Sequence, residues 1–510
     1  MPGHLRDQPD MVSAIVAGGS ARMTAKTVIW RCSEVLRLRP GVYRALDRSG
    51  REYLLHRSAS QQLGRLTELQ RSVLRQLAES ECSGESLRAA AHSCGGDDSV
   101  GELEALLRRL RTGGWLHITV VRDDRPAYTI EPYRRPANPR PADPGTGPVL
   151  SRFAVMRRSG ADLLIESPRS WCAIRVHDPD VVAALAAFIE PRVGEPGAGT
   201  KARALPAPLA DRLLSDLTWA TMVVAAPGDE DTAFELRQWS PHELWFHQRS
   251  RREGVPDGGF GRTQWAAGKF EPLPARRPSF AGQVIDLPRP DLDTLRRTDA
   301  TLTRVLEERR SIRRHDDWHP ITLEQIGGFL YRAAGVRYTI THDGVEHMTG
   351  PNPSGGALDA LEFYLAVRLA EGMEPGLYRY DRFGHRLEEV CGLTRAVHRL
   401  IDAAQNATGG SLESPQTYPP QLVVLLAARF GRVAWSYETL AYSLILKQVG
   451  VTYQTMYCVA TAMGLAPCAL GAGDPAAFAE ATGLDPLVEG TVGEFILGSR
   501  PAAPDQRART

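Results

Sequence analysis

Arg309-Arg310-Ser311-Ile312-Arg313-Arg314 is followed, about forty residues later, by the turn Pro353-Ser354-Gly355-Gly356-Ala357, and these two segments decide how the chain is interpreted. Guanidinium groups bind a phosphate dianion through paired hydrogen bonds. A glycine turn lets bare backbone approach a flat ring and direct N–H groups at it. Alone, the first is usually a solvated basic patch and the second an ordinary loop. Together they predict two walls of a flavin pocket.

The composition is that of a soluble globular protein with two to four domains, because 43% of the 510 residues are hydrophobic and 24% are charged. The net charge of +1 provides no overall field that would attract nucleic acid or an anionic membrane. We therefore expect partners to be recognised locally.

The seven cysteines are odd in number, scattered, and never spaced as C-x2-C, which argues against a disulfide framework and a zinc site. Reduced thiols in the cytoplasm are expected, with no metal. Residues 440 to 465 are largely apolar, but Lys447, Gln448 and Gln454 interrupt the run. Polar groups near the middle of a membrane span are costly, so a buried helix is predicted there.

Two Pro/Gly-rich stretches, 135–148 and 253–290, divide the chain into three predicted globular units. The predicted boundaries are a disordered or mis-assigned start at 1–35, a first domain at 36–135, a linker at 136–148, a second domain at 149–252, a linker at 253–284, a third domain at 285–501, and a disordered tail at 502–510. The glycine-rich run 194–201 is interpreted as flexible linker, because its Gly-Thr-Lys order does not match a phosphate loop.

The first unit has the element order of a winged helix: two strands near 41–46 and 52–56, helices near 66–77, 85–92 and 99–112, and a β wing at 115–130. Residues 45 to 124 carry eleven Arg and no Lys against twelve acidic residues, without a basic recognition helix. Peptide binding therefore fits this unit better than DNA binding. The second unit repeats the plan, with strands near 151–157, 162–166 and 173–176 and helices near 181–189, 211–220 and from Ser240.

The third unit begins with a helix from about Asp299, whose last turn delivers Arg309. Thr322 and Gln325 form a predicted capping box, and Gly335 ends that helix. Strands are predicted near 363–369, 376–381, 385–388, 421–428 and 494–500, with a loop at 464–474. Arg500 follows the last strand and is a candidate third phosphate ligand, although a strand-end arginine is by default solvated.

Five motifs occur in order: Arg-Arg-Ser-x-Arg from 309, Pro-Ser-Gly-Gly-Ala-x-x-x-Leu-Glu from 353, Gly-Leu-Tyr-x-Tyr-Asp from 376, Ala-Met-Gly-Leu-x-Pro-Cys-x-Leu-Gly from 462, and Leu-Gly-x-Arg from 497. Over residues 285–501 this series resembles the SagB-type azoline dehydrogenases of the nitroreductase superfamily. The preceding modules also resemble the longer members of that family, especially those of thiopeptide-like pathways.

The resemblance implies an α+β fold: a dimeric, nitroreductase-like FMN domain with a central mixed sheet flanked by helices, preceded by two winged-helix-like peptide-binding domains. It implies FMN at the subunit interface, where the helix near 440–464 packs against its twin. The substrate would be a precursor peptide carrying thiazolines or oxazolines, with a possible cyclodehydratase complex. The implied FMN contacts are Arg309, Arg310, Ser311, Arg313, Ser354, Gly355, Gly356, Leu470, Gly471 and Arg500.

Aromatisation requires a base that removes a ring proton while a hydride leaves for flavin N5, and dioxygen would reoxidise the flavin. The resemblance places a Lys-Tyr pair before the long helix, where this chain has Ser436 and Tyr437. A tyrosine with an ordinary pKa of about 10 is a poor base without a nearby cation. Tyr437 is the first candidate base, and Lys447 or Glu438 are possible substitutes.

Three functions remain open from the sequence. The first is oxidation of peptide azolines to azoles. The second is an NAD(P)H-dependent nitroreductase or flavin reductase, for which some 280 additional residues would have no purpose. The third is a catalytically impaired scaffold that binds the precursor peptide, a reading that Ser436 favours.

Overall fold

The computed structural model describes residues 32–56, 59–141, 148–189, 205–226, 228–251, 259–409 and 417–502. The predicted start before residue 32, the run 194–201 and the tail from 503 lie outside these ranges. The chain divides into two compact units, Met1–Leu236 and Arg237–Thr510. No helix within the described ranges is long and apolar enough to cross a membrane.

The first unit is built on an antiparallel seven-stranded sheet with the order β5-β1-β6-β7-β11-β10-β9. The strands of the whole unit, which also include the separate sheets β2-β3-β4 and β12-β8, are β1 (Cys32–Leu38), β2 (Tyr43–Leu46), β3 (Glu52–His56), β4 (Ala59–Gly64), β5 (Cys82–Ser83), β6 (Leu116–Arg122), β7 (Arg125–Pro132), β8 (Val149–Leu150), β9 (Val155–Ser159), β10 (Asp162–Glu166), β11 (Cys172–Val176) and β12 (Val223–Val224). Its helices are α1 (Glu68–Glu79), α2 (Gly84–Gly113), α3 (Pro179–Leu185), α4 (Ala207–Trp219), α5 (Asp229–Thr232) and α6 (Phe234–Arg237).

Local sequence signals account for the helices of this unit. Thr67 caps α1 and exchanges hydrogen bonds with Gln70 in a capping box. The two helices predicted at 85–92 and 99–112 are the two halves of α2, which bends where Gly95 and Gly96 leave helical geometry. Glycine accepts such backbone angles without a Cβ penalty, so the bend falls there.

One core runs through both modules that the sequence separates. Five adjacent strands contribute one row of buried side chains that lie opposite one another in the register. In the order β1, β6, β7, β11 and β10 they are Leu36, Ile118, Ile130, Ile174 and Ile165. All five belong to one apolar cluster. The two predicted modules therefore share a sheet, and whether each binds peptide on its own stays a prediction.

The second unit contains the strands β13 (Gly261–Arg262), β14 (Val284–Asp286), β15 (Tyr338–His342), β16 (Val345–Thr349), β17 (Leu361–Val367), β18 (Gly376–Asp381), β19 (Arg386–Gly392), β20 (Leu422–Arg429), β21 (Tyr437–Glu438), β22 (Leu465–Leu470) and β23 (Glu489–Ser499). Its helices are α7 (Pro241–Arg249), α8 (Leu292–Thr298), α9 (Leu302–Glu308), α10 (Leu323–Ala334), α11 (Arg395–Thr408), α12 (Gly431–Ala434), α13 (Ala441–Ala462) and α14 (Pro475–Thr482). The main sheet has the order β14-β19-β18-β17-β20-β23-β22.

Helices cover both faces of this sheet, which is why β17 and β20 are buried along their whole length. Alternate residues of a strand point to opposite faces. Phe363 and Leu365 accordingly join the cluster that includes residues of α10 and α13, whereas Tyr364 joins the cluster of α11 and α14. The predicted capping box of Thr322 and Gln325 is present at the start of α10.

The structure differs from the predicted linkers and loop in three places. Residues 135–141 pack against α4, where the Trp219 indole donates to the Asn138 carbonyl at 2.9 Å and Arg140 pairs with Asp216 at 2.8 Å. Residues 259–284 lie on the second unit, since β13 pairs with β21. Residues 465–470, predicted as loop, form the edge strand β22 beside β23. In all three places the structure is determined by contacts with residues far away in the sequence, which local composition does not reveal.

Candidate functional site

The arginine segment, residues 309–314, is held by one tyrosine of α13. Helix α9 ends at Glu308 and Arg309 is its C-cap, so Arg309, Arg310 and Ser311, predicted in the last helical turn, lie just beyond the helix. The chain then runs past β22, where the Ile312 N–H donates to the Pro467 carbonyl at 2.8 Å. The Ser311 and Tyr457 hydroxyls lie 2.8 Å apart, and the Tyr457 hydroxyl also accepts from the Ala469 N–H at 2.8 Å. Tyr457 therefore joins the arginine segment to the residues just before Leu470 and Gly471.

The guanidinium groups of this wall differ in their contacts. Arg309 lies with its guanidinium carbon 5.2 Å from the Tyr457 ring centre. Arg310 donates to the carbonyls of Glu307 and its neighbour Arg309, both at 2.9 Å. Arg313 and Arg500 are exposed, and neither has an acidic partner in the described part of the chain. These unpaired forks suit a phosphate.

Gln421 holds the arginine segment beside the end of β23. Its side-chain amide donates to the Asp316 carbonyl at 2.8 Å and accepts from the Ser499 N–H at 2.9 Å. Its own N–H donates to the imidazole Nδ1 of His315 at 3.0 Å. Gln421 thus joins His315 and Asp316 to Ser499 in one hydrogen-bonded network, and Arg313 and Arg500 lie next to this network in the sequence. Sequence reasoning missed Gln421 and His315, and the available signal was a polar residue at the start of an apolar strand.

Burial lowers the pKa of His315 to about 4, although the nearby Asp317 carboxylate acts in the opposite direction. The side chain is only 8% exposed. His315 is therefore neutral near pH 7, and it accepts the Gln421 N–H through an unprotonated nitrogen.

The glycine turn forms the second wall, directly beside Tyr437. Gly356 has φ +63°, and a Cβ built on it would lie 2.8 Å from the Tyr437 hydroxyl oxygen. A Cβ on Gly355 would lie 3.1 Å from a methyl carbon of Leu444. The imidazole Nδ1 of His347 is 2.9 Å from the Gly356 carbonyl. The structure therefore brings the predicted turn and the predicted base together, with His347 as a contact that sequence reasoning missed.

The positions around Tyr437 have distinct surroundings. Ser436 is 1% exposed, and its hydroxyl makes no hydrogen bond to any described residue. Tyr437 is half-buried in β21, opposite Arg262. The Glu438 carboxylate accepts from the Thr263 hydroxyl at 2.6 Å, and Lys447 is exposed on α13. The buried position 436 places no cation beside the Tyr437 hydroxyl.

Buried charges fix the backbone behind the turn. The Asp359 carboxylate pairs with Arg382 at 2.7 Å and also accepts from the Gln448 amide. Arg382 in turn donates to the Leu361 carbonyl at 2.8 Å. Glu362 is also buried, with Arg379 at 3.3 Å, and burial raises the pKa of Glu362 to about 7 against the attraction of that guanidinium. These groups anchor the turn to β17 and α13.

Within this chain the two walls contact α13 near its opposite ends. The glycine turn contacts Leu444, whereas the arginine segment contacts Tyr457, thirteen residues further along. At a rise of about 1.5 Å per residue, these positions are about 20 Å apart along the helix. Arg309, Ser311 and Leu470 are thus gathered at one end, and Ser354, Gly355, Gly356 and Tyr437 at the other.

Comparison with known proteins finds family matches for two segments of the chain. Residues 148–255 match the family described as cyanobactin oxidase ThcOx, and residues 306–499 match the nitroreductase family. A nitroreductase of Methanocaldococcus jannaschii is 28% identical over 191 residues, which are 38% of this chain and 86% of the relative.

Two solved structures are also similar. A nitroreductase of Ralstonia eutropha aligns with 24% identity over 45% of this chain and 96% of that chain, at a TM-score of 0.33. The E. coli microcin synthetase McbBCD complex with truncated pro-MccB17 aligns with 20% identity over 50% of this chain and 91% of that chain, at a TM-score of 0.32. The two family matches by themselves show a nitroreductase-fold domain in the C-terminal part of the chain, preceded by an N-terminal domain, and they indicate an oxidoreductase.

Proposed function

We propose that this chain is a SagB-type, FMN-dependent dehydrogenase that oxidises thiazolines or oxazolines to the aromatic azoles in a ribosomally made precursor peptide. The observation that carries the proposal is the Tyr437 hydroxyl beside the left-handed glycine turn, in a domain that follows a cyanobactin oxidase match. A thiopeptide-like pathway, a cytoplasmic location and a partner cyclodehydratase belong to the same proposal.

The residues present fit FMN. Arg313 and Arg500 present guanidinium groups without acidic partners among the described residues, and Ser311, two positions before Arg313, adds a hydroxyl to the same segment. Gly356 presents backbone where a side chain would collide with Tyr437. When bound, FMN would supply the hydride acceptor, while Arg309, Arg313 and Arg500 would hold its phosphate and the glycine turn would flank its ring.

Tyr437 is the proposed proton acceptor. Its hydroxyl oxygen is the nearest atom, at 2.8 Å, to the position that a Gly356 Cβ would take. A base must lie within hydrogen-bond reach of the proton that it removes, so this location suits a ring bound against the turn. Lys447 lies on α13, the helix that follows β21, and is exposed, so it stays the second candidate.

A homodimer would complete the site. The two walls lie at opposite ends of α13 in one protomer, and the exposed side of that helix carries Lys447, Gly450, Val451 and Gln454. We propose that α13 packs against its twin in antiparallel fashion, so that the arginine segment of one protomer faces the glycine turn of its partner.

The test is to purify the protein, record a flavin spectrum, and incubate it with an azoline-bearing peptide while following its mass. Loss of two hydrogens per ring is expected. A colourless protein that only binds peptide would sink the dehydrogenase and favour a scaffold. The M. jannaschii relative's name favours a second candidate, an NAD(P)H-dependent nitroreductase, which would bleach the flavin with NAD(P)H and leave azolines untouched.

Replacing Tyr437 by Phe tests the proposed base. The hydroxyl is removed but the ring is kept, so we expect FMN to bind while the oxidation rate falls by roughly 10²-fold or more. Tyr442→Phe, which removes a hydroxyl from the exposed face of α13, should keep the wild-type rate. Full activity of Tyr437→Phe would exclude Tyr437 as the base and direct attention to Lys447.

A further inference from the structure

The first unit contains a cavity of about 290 Å³ between the segment 134–141 and the end of α4. Its floor is a pair of buried indoles, Trp171 and Trp219, whose ring centres are 4.4 Å apart. Small-molecule sites usually measure about 300–1,000 Å³, so this cavity lies at the lower end of that range and has room for one large side chain.

The indoles offer only apolar surface to an occupant. The Trp171 N–H donates to the Trp219 carbonyl at 2.8 Å, and the Trp219 N–H donates to the Asn138 carbonyl at 2.9 Å. Both donors are thus used inside the protein. Pro139 and Pro141 add further apolar wall.

The lining also carries three guanidinium groups, and two of them are not neutralised. Arg169 pairs with the buried carboxylate of Glu230. Arg134 donates only to backbone carbonyls among the described residues, including that of Ser170 at 2.7 Å. Arg135 is exposed and has no hydrogen-bond or ionic partner within the described ranges. An apolar floor below two free positive charges is complementary to an apolar side chain next to carboxylates.

We propose that this cavity binds an acidic segment of the precursor peptide, with one apolar side chain on the indoles and neighbouring carboxylates at Arg134 and Arg135. The inference rests on the proposed function, that the chain acts on a peptide. It assigns the peptide contact to the segment 134–141 together with α4, rather than to either predicted module alone.

The experiment measures binding of labelled short peptides to the full chain loaded with FMN. One peptide carries two adjacent glutamates beside a leucine, and its matched version carries two glutamines. The glutamate peptide should bind at least about fivefold more tightly, and Arg135→Gln should remove most of that difference. Arg75→Gln is the control, because Arg75 is exposed on α1 and its side chain makes no hydrogen bond or ion pair with another described residue.

A second variant, Ala137→Phe, adds bulk to an exposed lining residue without removing a native contact and should weaken binding of the glutamate peptide. Circular dichroism confirms that each variant is folded. Equal effects of Arg135→Gln and Arg75→Gln would overturn the proposal. So would displacement of the peptide by millimolar inorganic phosphate in wild type but not in Arg135→Gln, since that identifies a small-anion site.

Azoline oxidation by the same variants separates this inference from the proposed function. Arg135→Gln should raise the peptide concentration needed for half-maximal rate and leave the maximal rate unchanged. Oxidation whose peptide dependence is unaffected by Arg135→Gln refutes the cavity alone. Absence of oxidation in wild type, with glutamate-selective binding retained, refutes the dehydrogenase alone.

Discussion

Gly356 and Gly344 allow backbone strain to be separated from contact with Tyr437. Both are left-handed, at φ +63° and +75°, but only a Cβ on Gly356 would meet a neighbour, the Tyr437 hydroxyl. Alanine at either position should cost about 1–2 kcal/mol of unfolding free energy. Only Gly356→Ala should also lower azoline oxidation, by about tenfold, because the hydroxyl is displaced. Urea unfolding and initial rates measure the two effects, and equal rates for the two variants would contradict the contact.

His315 should make stability depend on pH. Its pKa is about 4 in the folded protein against an ordinary 6.5, so the unfolded chain binds more protons between these values. Stability from this group is therefore complete above pH 6.5 and is lost as the pH falls towards 4, by about 3 kcal/mol. Glu362 acts in the opposite sense between about 4.5 and 7, because its folded pKa is raised.

The His315→Gln variant isolates this effect, since Glu362 is present in both proteins and cancels in the difference. Glutamine can still accept the Gln421 N–H but does not titrate near neutral pH. The stability advantage of wild type over the variant should shrink as the pH is lowered from 7 to 4.5 in urea-unfolding measurements. A constant difference would show that His315 is not held neutral by burial.

The role of a residue could be predicted where its chemical type suits a ligand, but not where its role depends on which distant groups pack against it. The sequence indicates Arg313, Gly356 and Tyr437 because their side chains, or the lack of one, suit a flavin phosphate or ring. The junction at Gln421 was not predictable, since an amide becomes a connector only when distant backbone groups converge on it. Arg310 was predicted beside the phosphate, but one of its nitrogens donates to carbonyls at the end of α9.

At the scale of elements, helix α13 and its Tyr457 connect the arginine segment to β22. Tyr457→Phe removes the contacts to Ser311 and to the Ala469 N–H. We expect a loss of about 1–3 kcal/mol in unfolding free energy and a weaker affinity for FMN, because the arginine segment is less constrained. Fluorescence titration with FMN and urea unfolding measure these quantities.

A double-mutant cycle assigns that effect to the Ser311 contact. Ser311→Ala combined with Tyr457→Phe should cost less than the sum of the single variants, with a coupling of about 0.5–1.5 kcal/mol. Tyr442→Phe is the control on the same helix. Additive effects, or an unchanged FMN affinity in Tyr457→Phe, would mean that Tyr457 does not position the arginine segment.

Helices were easier to predict than strand partners. Thr322 and Ser240, where two helices were predicted to begin, are local capping signals, and both caps are present. The strand β22 contains Pro467 and small residues, which locally favour a loop, and only its pairing with β23 makes it a strand. The pairing of β13 with β21 joins residues about 175 positions apart, which no local pattern reveals.

At the scale of the molecule, proline-rich composition was a poor guide to boundaries. Linkers were predicted at 136–148 and 253–284, yet the described parts of both, 136–141 and 259–284, bind to folded surfaces through carbonyl acceptors. Arg429, for example, donates to the carbonyls of Pro274 and Ala275 at 2.9 and 3.1 Å. Proline lacks a donor but keeps its acceptor, so such segments can pack without forming sheet.

Pairing two inactive variants tests the proposed dimer. Arg313→Glu should prevent phosphate binding without loss of an acidic partner among the described residues, and Tyr437→Phe should remove the base. If each site combines Arg313 of one protomer with Tyr437 of its partner, a heterodimer of the two variants contains one intact site and one with both defects. Purified through two different tags, it should show about half of the wild-type oxidation rate. If both residues serve the same site within one protomer, every site carries one defect and the heterodimer stays inactive, which would refute the shared site.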